Sequence, residues 1–308
     1  MDKETTHELW PALPYEIWRE TCETLHLWTQ VVGKVRLALS SPVNHWWHVP
    51  FYVTVRGLTT SPIPYRGGSF EVIFDFIDHT LLILTSDGTL KAMPLIPRSV
   101  AAFYREFMAC LHALGIEVTI NTLPCEIQNP IPCDEDEIHA SYDHSYAHHF
   151  WCVLMQTDIV LNRYRSFFLG KSSPVHFFWG SFDLALTLFS GRRAPERAGA
   201  DQITREAYSH EEISCGFWPG DERFPTPAFY SYTYPEPPGL GTASLRPSTA
   251  FYSPELSEFL LLYDDVRQAS SPGQLLLDFF HRTYEAGATL AQWDRDALER
   301  HPAVREGD

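Results

Sequence analysis

Trp18, Cys22, Leu25, Trp28, Val32 and Val35 recur at three- and four-residue intervals, a spacing that lines one face of an α-helix with apolar side chains. Pro14 suits the first turn, where its missing N–H has no partner to lose, so a helix is predicted from there to about Leu39, ended by Pro42. The period then shortens to two. Phe70, Val72, Phe74 and Phe76 alternate with Glu71, Ile73 and Asp75, which predicts a strand over 69–77 with one apolar face. Further strands are predicted at 46–57, 80–86 and 89–95, with Asp87-Gly88 as a hairpin turn. Ser99 opens a helix through Phe103, Phe107, Cys110 and Leu111 that stops at Gly115, and a strand over 117–120 follows.

Residues 123–143 are rich in proline and acid and read as a connection. Beyond them the order repeats: a helix over 147–169, strands at 176–189, 210–218, 227–234 and 258–263, and a helix over 273–293 that starts after Ser271-Pro272. Ser40-Ser41-Pro42-Val43-Asn44-His45-Trp46-Trp47 is echoed by Ser172-Ser173-Pro174-Val175-His176-Phe177-Phe178. These patterns predict an α+β protein of two pseudo-symmetric helix–antiparallel strands–helix repeats. The repeats, 1–122 and 144–308, would join into one curved sheet with helices on one face. The second would carry a Pro/Gly-rich insertion at 221–250, either a surface excursion or a lid.

A formal charge of −16 argues against nucleic acid or an anionic membrane as a partner. No apolar run approaches a membrane span, and no signal core is visible. Six cysteines without a CxxC pair read as reduced thiols, so a cytoplasmic setting is expected, with the oligomeric state left open.

Several polar positions could carry chemistry. His26, Gln30 and Lys34 form a stripe on the first helix, matched by Asp158, Asn162 and Ser166 on the later one; such a stripe either faces solvent or faces its counterpart. His210 and Glu212 fall where the first repeat has Phe70 and Val72, so they either lie on a wet edge strand or form a purposeful buried pair. With His176 they would suit a divalent metal or an acid–base pair. Trp179 and Trp218 could line an aromatic pocket for a ligand or cofactor, or be core. His45 and His48, and His144, His148 and His149, are weaker groupings more easily read as packing or a helix start.

The segments Leu25–Arg36, Ser173–Asp183 and Tyr208-Ser209-His210-Glu211 together resemble the signature blocks of a bacterial family defined only as a domain of unknown function. The resemblance covers nearly the whole chain and implies no activity. Leu188 stands where that pattern has arginine, and Glu212 lies outside it, which moves the candidate carboxylate to Glu211 if a bulge turns it inward. The first functional reading is therefore a small-molecule enzyme in a cleft between the repeats. His176, His210 and Glu211 would be catalytic or hold zinc or iron, with Asp183, Lys34 and Lys171 as nearby charges and His26, Gln30, Trp179 and Trp218 around a ligand. The alternative is a non-catalytic protein whose aromatic cleft binds a metabolite or a partner.

Overall fold

A computed structural model describes residues 9–196 and 199–300. Helix α1 (Tyr15–Leu39) runs as the apolar spacing predicts, but it is buried around its whole circumference from Leu27 to Arg36, so it is a central helix and not a half-exposed one. Trp28 stacks on Phe103 at 4.8 Å and on Tyr142 at 5.4 Å, which ties α1 to helix α2 (Val100–Ala113) and to the segment before helix α3 (His144–Arg165).

Strands β1 (Tyr52–Val53), β2 (Gly57–Thr59), β3 (Ile63–Tyr65), β4 (Gly68–Asp75), β5 (Thr80–Thr85) and β6 (Leu90–Pro94) form an antiparallel sheet of order β1-β2-β4-β5-β6, with β3 also on β4. The alternation read at 69–77 is realised: Phe70, Val72 and Phe74 are buried on one side of β4. Strands β7 (His176–Phe178), β8 (Asp183–Arg193), β9 (His210–Trp218), β10 (Ala228–Tyr234), β11 (Phe251–Ser253) and β12 (Glu258–Leu262) form a second antiparallel sheet of order β11-β12-β10-β9-β8-β7. Helices α4 (Gln202–Ala207), α5 (Tyr263–Arg267), α6 (Pro272–Leu290) and α7 (Arg295–Leu298) complete the described chain.

The strands thus make two six-stranded sheets, not the one continuous ladder expected. One bridged pair, Phe51 with Phe177, exchanges both backbone hydrogen bonds at 2.8 Å beside β1 and β7. The stretch 46–57 is no single strand either. Thr54 Oγ1 accepts the N–H groups of Arg56 and Gly57 and closes a hairpin between β1 and β2, a local side-chain bond that alternation cannot reveal. Residues 117–120 form no strand; Tyr65 holds this turn instead, donating to the Gly115 carbonyl and accepting from Glu117 N. The expected insertion shrinks to 235–250, because β10 pairs with β12 inside the sheet.

The two SSPV segments differ in backbone. In the first, Asn44–Trp46 form a 3-10 turn with His45 at φ 57° and Trp46 at φ 60°; in the second, His176–Phe178 are extended as β7. The shared residues therefore do not impose a shared conformation.

The chain divides into two compact units. Unit 1 comprises residues up to Gln156 with His176–Leu184 and Trp218–Pro227; unit 2 comprises Thr157–Val175, Ala185–Phe217 and the residues from Ala228 on.

Candidate functional site

In unit 1 the stripe on α1 meets protein, not water. Gln30 is fully buried, and its side chain mimics a strand neighbour: Nε2 donates to the Cys125 carbonyl at 2.9 Å and Oε1 accepts Cys125 N at 2.9 Å. His26 Nε2 donates to the Gly180 carbonyl at 2.8 Å and its ring stacks on Phe182. Burial pushes the His26 imidazole down to about 4, against those backbone bonds, so it is neutral at pH 7. Lys34 Nζ donates to the Leu123 carbonyl at 2.7 Å. All three side chains bind loop carbonyls, which an irregular loop has in surplus because it lacks a ladder. Of the counterpart residues, Asn162 on α3 and Ser166 just past its end are exposed, and Asn162 Nδ2 bonds Asp158 within its own helix. Gln30→Ala is expected to cost about 2–4 kcal/mol, since it leaves both Cys125 backbone groups unmatched. Urea unfolding measures this, and a change below about 0.5 kcal/mol would reject the role.

Trp179 is buried against Gly33 and donates Nε1–H to the Val49 carbonyl at 2.9 Å. Trp218 stacks on Phe224 at 5.9 Å. Asp183 accepts from Ser181 Oγ at 2.8 Å, and its charge adds to burial in raising the Glu126 carboxyl. His176 packs edge-on against Trp47, Tyr52 and Phe178, all in unit 1.

A cluster of ionisable side chains lies on the second sheet, inside unit 2. β9 alternates, so His210, Glu212 and Ser214 share one face while Glu211 points to the other. Glu212 is only 5% exposed. Burial pushes its carboxyl up to about 8, against the downward pull of a hydrogen bond from Tyr232 and the charge of Lys171. The Tyr232 hydroxyl lies 3.2 Å from that of Tyr208 and also bonds Ser214, whose Oγ is 3.1 Å from Thr187 Oγ1. A relay of hydroxyls thus connects a protonated carboxyl to both neighbouring strands. His210 sits beside it with Nδ1 3.0 Å from Ser209 Oγ. Burial, then Lys171 and Arg193, hold its pKa below the usual imidazole value. At neutral pH this face presents a neutral acid, a neutral imidazole and phenols, with the Lys171 ammonium at its edge.

Glu211 has a different task. Its carboxylate takes Arg192 at 2.6 Å and Ser190 Oγ at 3.0 Å. Arg192 in turn donates to the Ala291 and Gln292 carbonyls just past the end of α6. No bulge reverses it, because β9 runs unbroken from His210 to Trp218. His176 belongs to unit 1 and His210 to unit 2. Among the described residues no group of three or more His, Cys, Asp or Glu side chains is arranged to hold a metal ion. Sequence reasoning found His210, Glu212 and Lys171 but missed Tyr208 and Tyr232. The alternation of Tyr230, Tyr232 and Tyr234 in β10 was the available signal.

Two six-stranded antiparallel sheets with seven α-helices among the described residues define a mixed α+β protein, with a buried acid on one strand face. The chain belongs to DUF5996, a family of unknown function, whose pattern matches residues 10–300. No curated protein and no solved structure matches it. No helix among the described residues is long and apolar enough to cross a membrane.

Proposed function

We propose that unit 2 carries an acid–base site that acts on a small anionic molecule, with hydrolysis as the reaction class. The carrying observation is Glu212: a carboxyl buried on a strand face, raised to about 8 and wired by hydrogen bonds to Tyr232. A carboxyl in that state holds a proton at pH 7 and can give it to a leaving group. His210, kept neutral by burial and two cations, is the base that activates water. Lys171 draws in a negatively charged substrate, and water is the only co-reactant this scheme requires. The competing reading, binding without turnover, draws on the Tyr208 ring, 5.0 Å from that of Tyr234 and 6.2 Å from that of Tyr232, a cluster that could hold a flat ligand.

The test uses monomethyl succinate, which carries a free carboxylate, beside the uncharged dimethyl succinate, because an alkoxide leaves only with a proton from a general acid. Wild type is expected to hydrolyse the charged ester preferentially, with a rate that falls above about pH 8 as Glu212 loses its proton. Glu212→Gln, which keeps the shape but holds no transferable proton, is expected to lose about 10²-fold or more. Saturable binding of succinate without turnover would support the binding reading. Neither binding nor turnover, or full activity in Glu212→Gln, would overturn the assignment.

A further inference from the structure

Arg36, in the last turn of α1, is 7% exposed, and no carboxylate pairs with it among the described residues. Its Nε donates to the His48 carbonyl at 2.8 Å, its guanidinium carbon lies 5.7 Å from the Tyr52 ring centroid, and its Nη1 is buried with no hydrogen-bond acceptor. A second orphaned donor borders His48, whose carbonyl Arg36 holds: Trp46 Nε1 is buried without an acceptor, and the Trp46 ring lies 5.3 Å from the His48 ring. Buried donors in native proteins nearly always have partners, and a buried guanidinium without an anion is among the costliest exceptions. Among the described residues, the carboxylates that form ion pairs pair with other cations. A negatively charged hydrogen-bond acceptor would match the fork of this guanidinium's remaining donors.

We propose that Arg36 anchors a second ligand site, within unit 1 and separate from Glu212, that takes a planar carboxylate. With Nε committed to His48, the Nη edge remains, and that edge matches the two oxygens of a carboxylate. One guanidinium neutralises one negative charge. A phosphate dianion would call for a further cation, and the surrounding side chains are aromatic or imidazole: Trp46, Tyr52, His48 and, against Tyr52, His176. Those rings suit a flat apolar body behind the carboxylate. Entry requires the cover to move, because Nη1 has no accessible surface. The 44–46 turn supplies that movement: two consecutive non-glycine residues, His45 and Trp46, stand at positive φ, a conformation that costs each of them free energy and that a rearranged turn would relieve.

Benzoate is the probe. Exhaustively dialysed full-length protein is titrated with benzoate, inorganic phosphate and chloride at equal ionic strength, following thermal midpoint and tryptophan fluorescence. Benzoate is expected to raise the midpoint saturably and to change the fluorescence of Trp46 or Trp47, while phosphate and chloride do neither. Arg36→Met is expected to abolish both responses. Without ligand it should be at least as stable as wild type, because it removes an unpaired buried charge. Arg36→Lys, which keeps the charge but loses the fork, is expected to weaken benzoate at least tenfold and serves if the methionine variant does not fold. Glu212→Gln is expected to leave the benzoate response intact, which keeps this site distinguishable from the one in unit 2. No response of wild type to benzoate, or a response retained in Arg36→Met, would overturn the site. An equal response to phosphate would overturn its carboxylate selectivity.

Discussion

Wild-type protein is expected to lose about 5 kcal/mol of Glu212-linked stability as pH rises from 4.5 to beyond 8, and Glu212→Gln is expected to remove that loss. The sign follows from proton binding. A glutamate in the unfolded chain releases its proton near pH 4.3, whereas buried Glu212 holds its proton to about 8. Between those values the folded state binds more protons, so stability is fully present below the unfolded pKa and is lost as pH rises through the folded one. Histidines work in the opposite direction: burial lowers His26 to about 4 and also lowers His79, so their contribution is lost as pH falls below about 6.5. The difference between wild type and Glu212→Gln in urea unfolding at pH 6.5, 7.5 and 9 isolates the glutamate. Parallel pH profiles for the two proteins would mean that Glu212 is not held protonated, and the general-acid role would fall with it.

Gly33→Ala is expected to destabilise the protein by about 3 kcal/mol or more, or to prevent folding, although alanine is the better helix former by about 1 kcal/mol. A Cβ at Gly33 would lie 2.4 Å from three atoms of the Trp179 indole, inside the ring's contact surface. The ring cannot simply slide, because its Nε1–H is committed to the Val49 carbonyl at 2.9 Å and its surroundings are buried. Trp179→Leu should relieve the clash, so the double variant is expected to be less impaired than the sum of the two single changes. Circular dichroism melting curves of the four proteins decide this. Simple additivity would show that the contact is not tight.

The same contact shows where reading the chain reached its limit. The helix over 15–39 and the strands around 69–94 were legible because each rests on a period that the chain itself carries. The stripe of His26, Gln30 and Lys34 was legible as polar but not as buried. Its partners are the carbonyls of Leu123, Cys125 and Gly180, which every residue has and no pattern marks. The candidate site was half legible. Alternation placed His210 and Glu212 on one face, opposite Glu211, and the family resemblance drew attention to Glu211 instead. The fold gives Glu211 to Arg192 and leaves Glu212 in the interior with Tyr232.

By itself, the sequence determined the α+β class, most helices and strands, the apolar face of each, and the set of side chains able to move a proton. These depend on residues a few positions apart, whose geometry the backbone fixes. Only the tertiary structure decided which polar groups lose their water. It split the strands into two sheets, gave two like SSPV segments unlike conformations, and buried Glu212 and Arg36 while leaving Asn162 and Ser166 exposed. Desolvation is set by neighbours far away in the chain, and it is desolvation that turns an ordinary glutamate into an acid with its proton at pH 7.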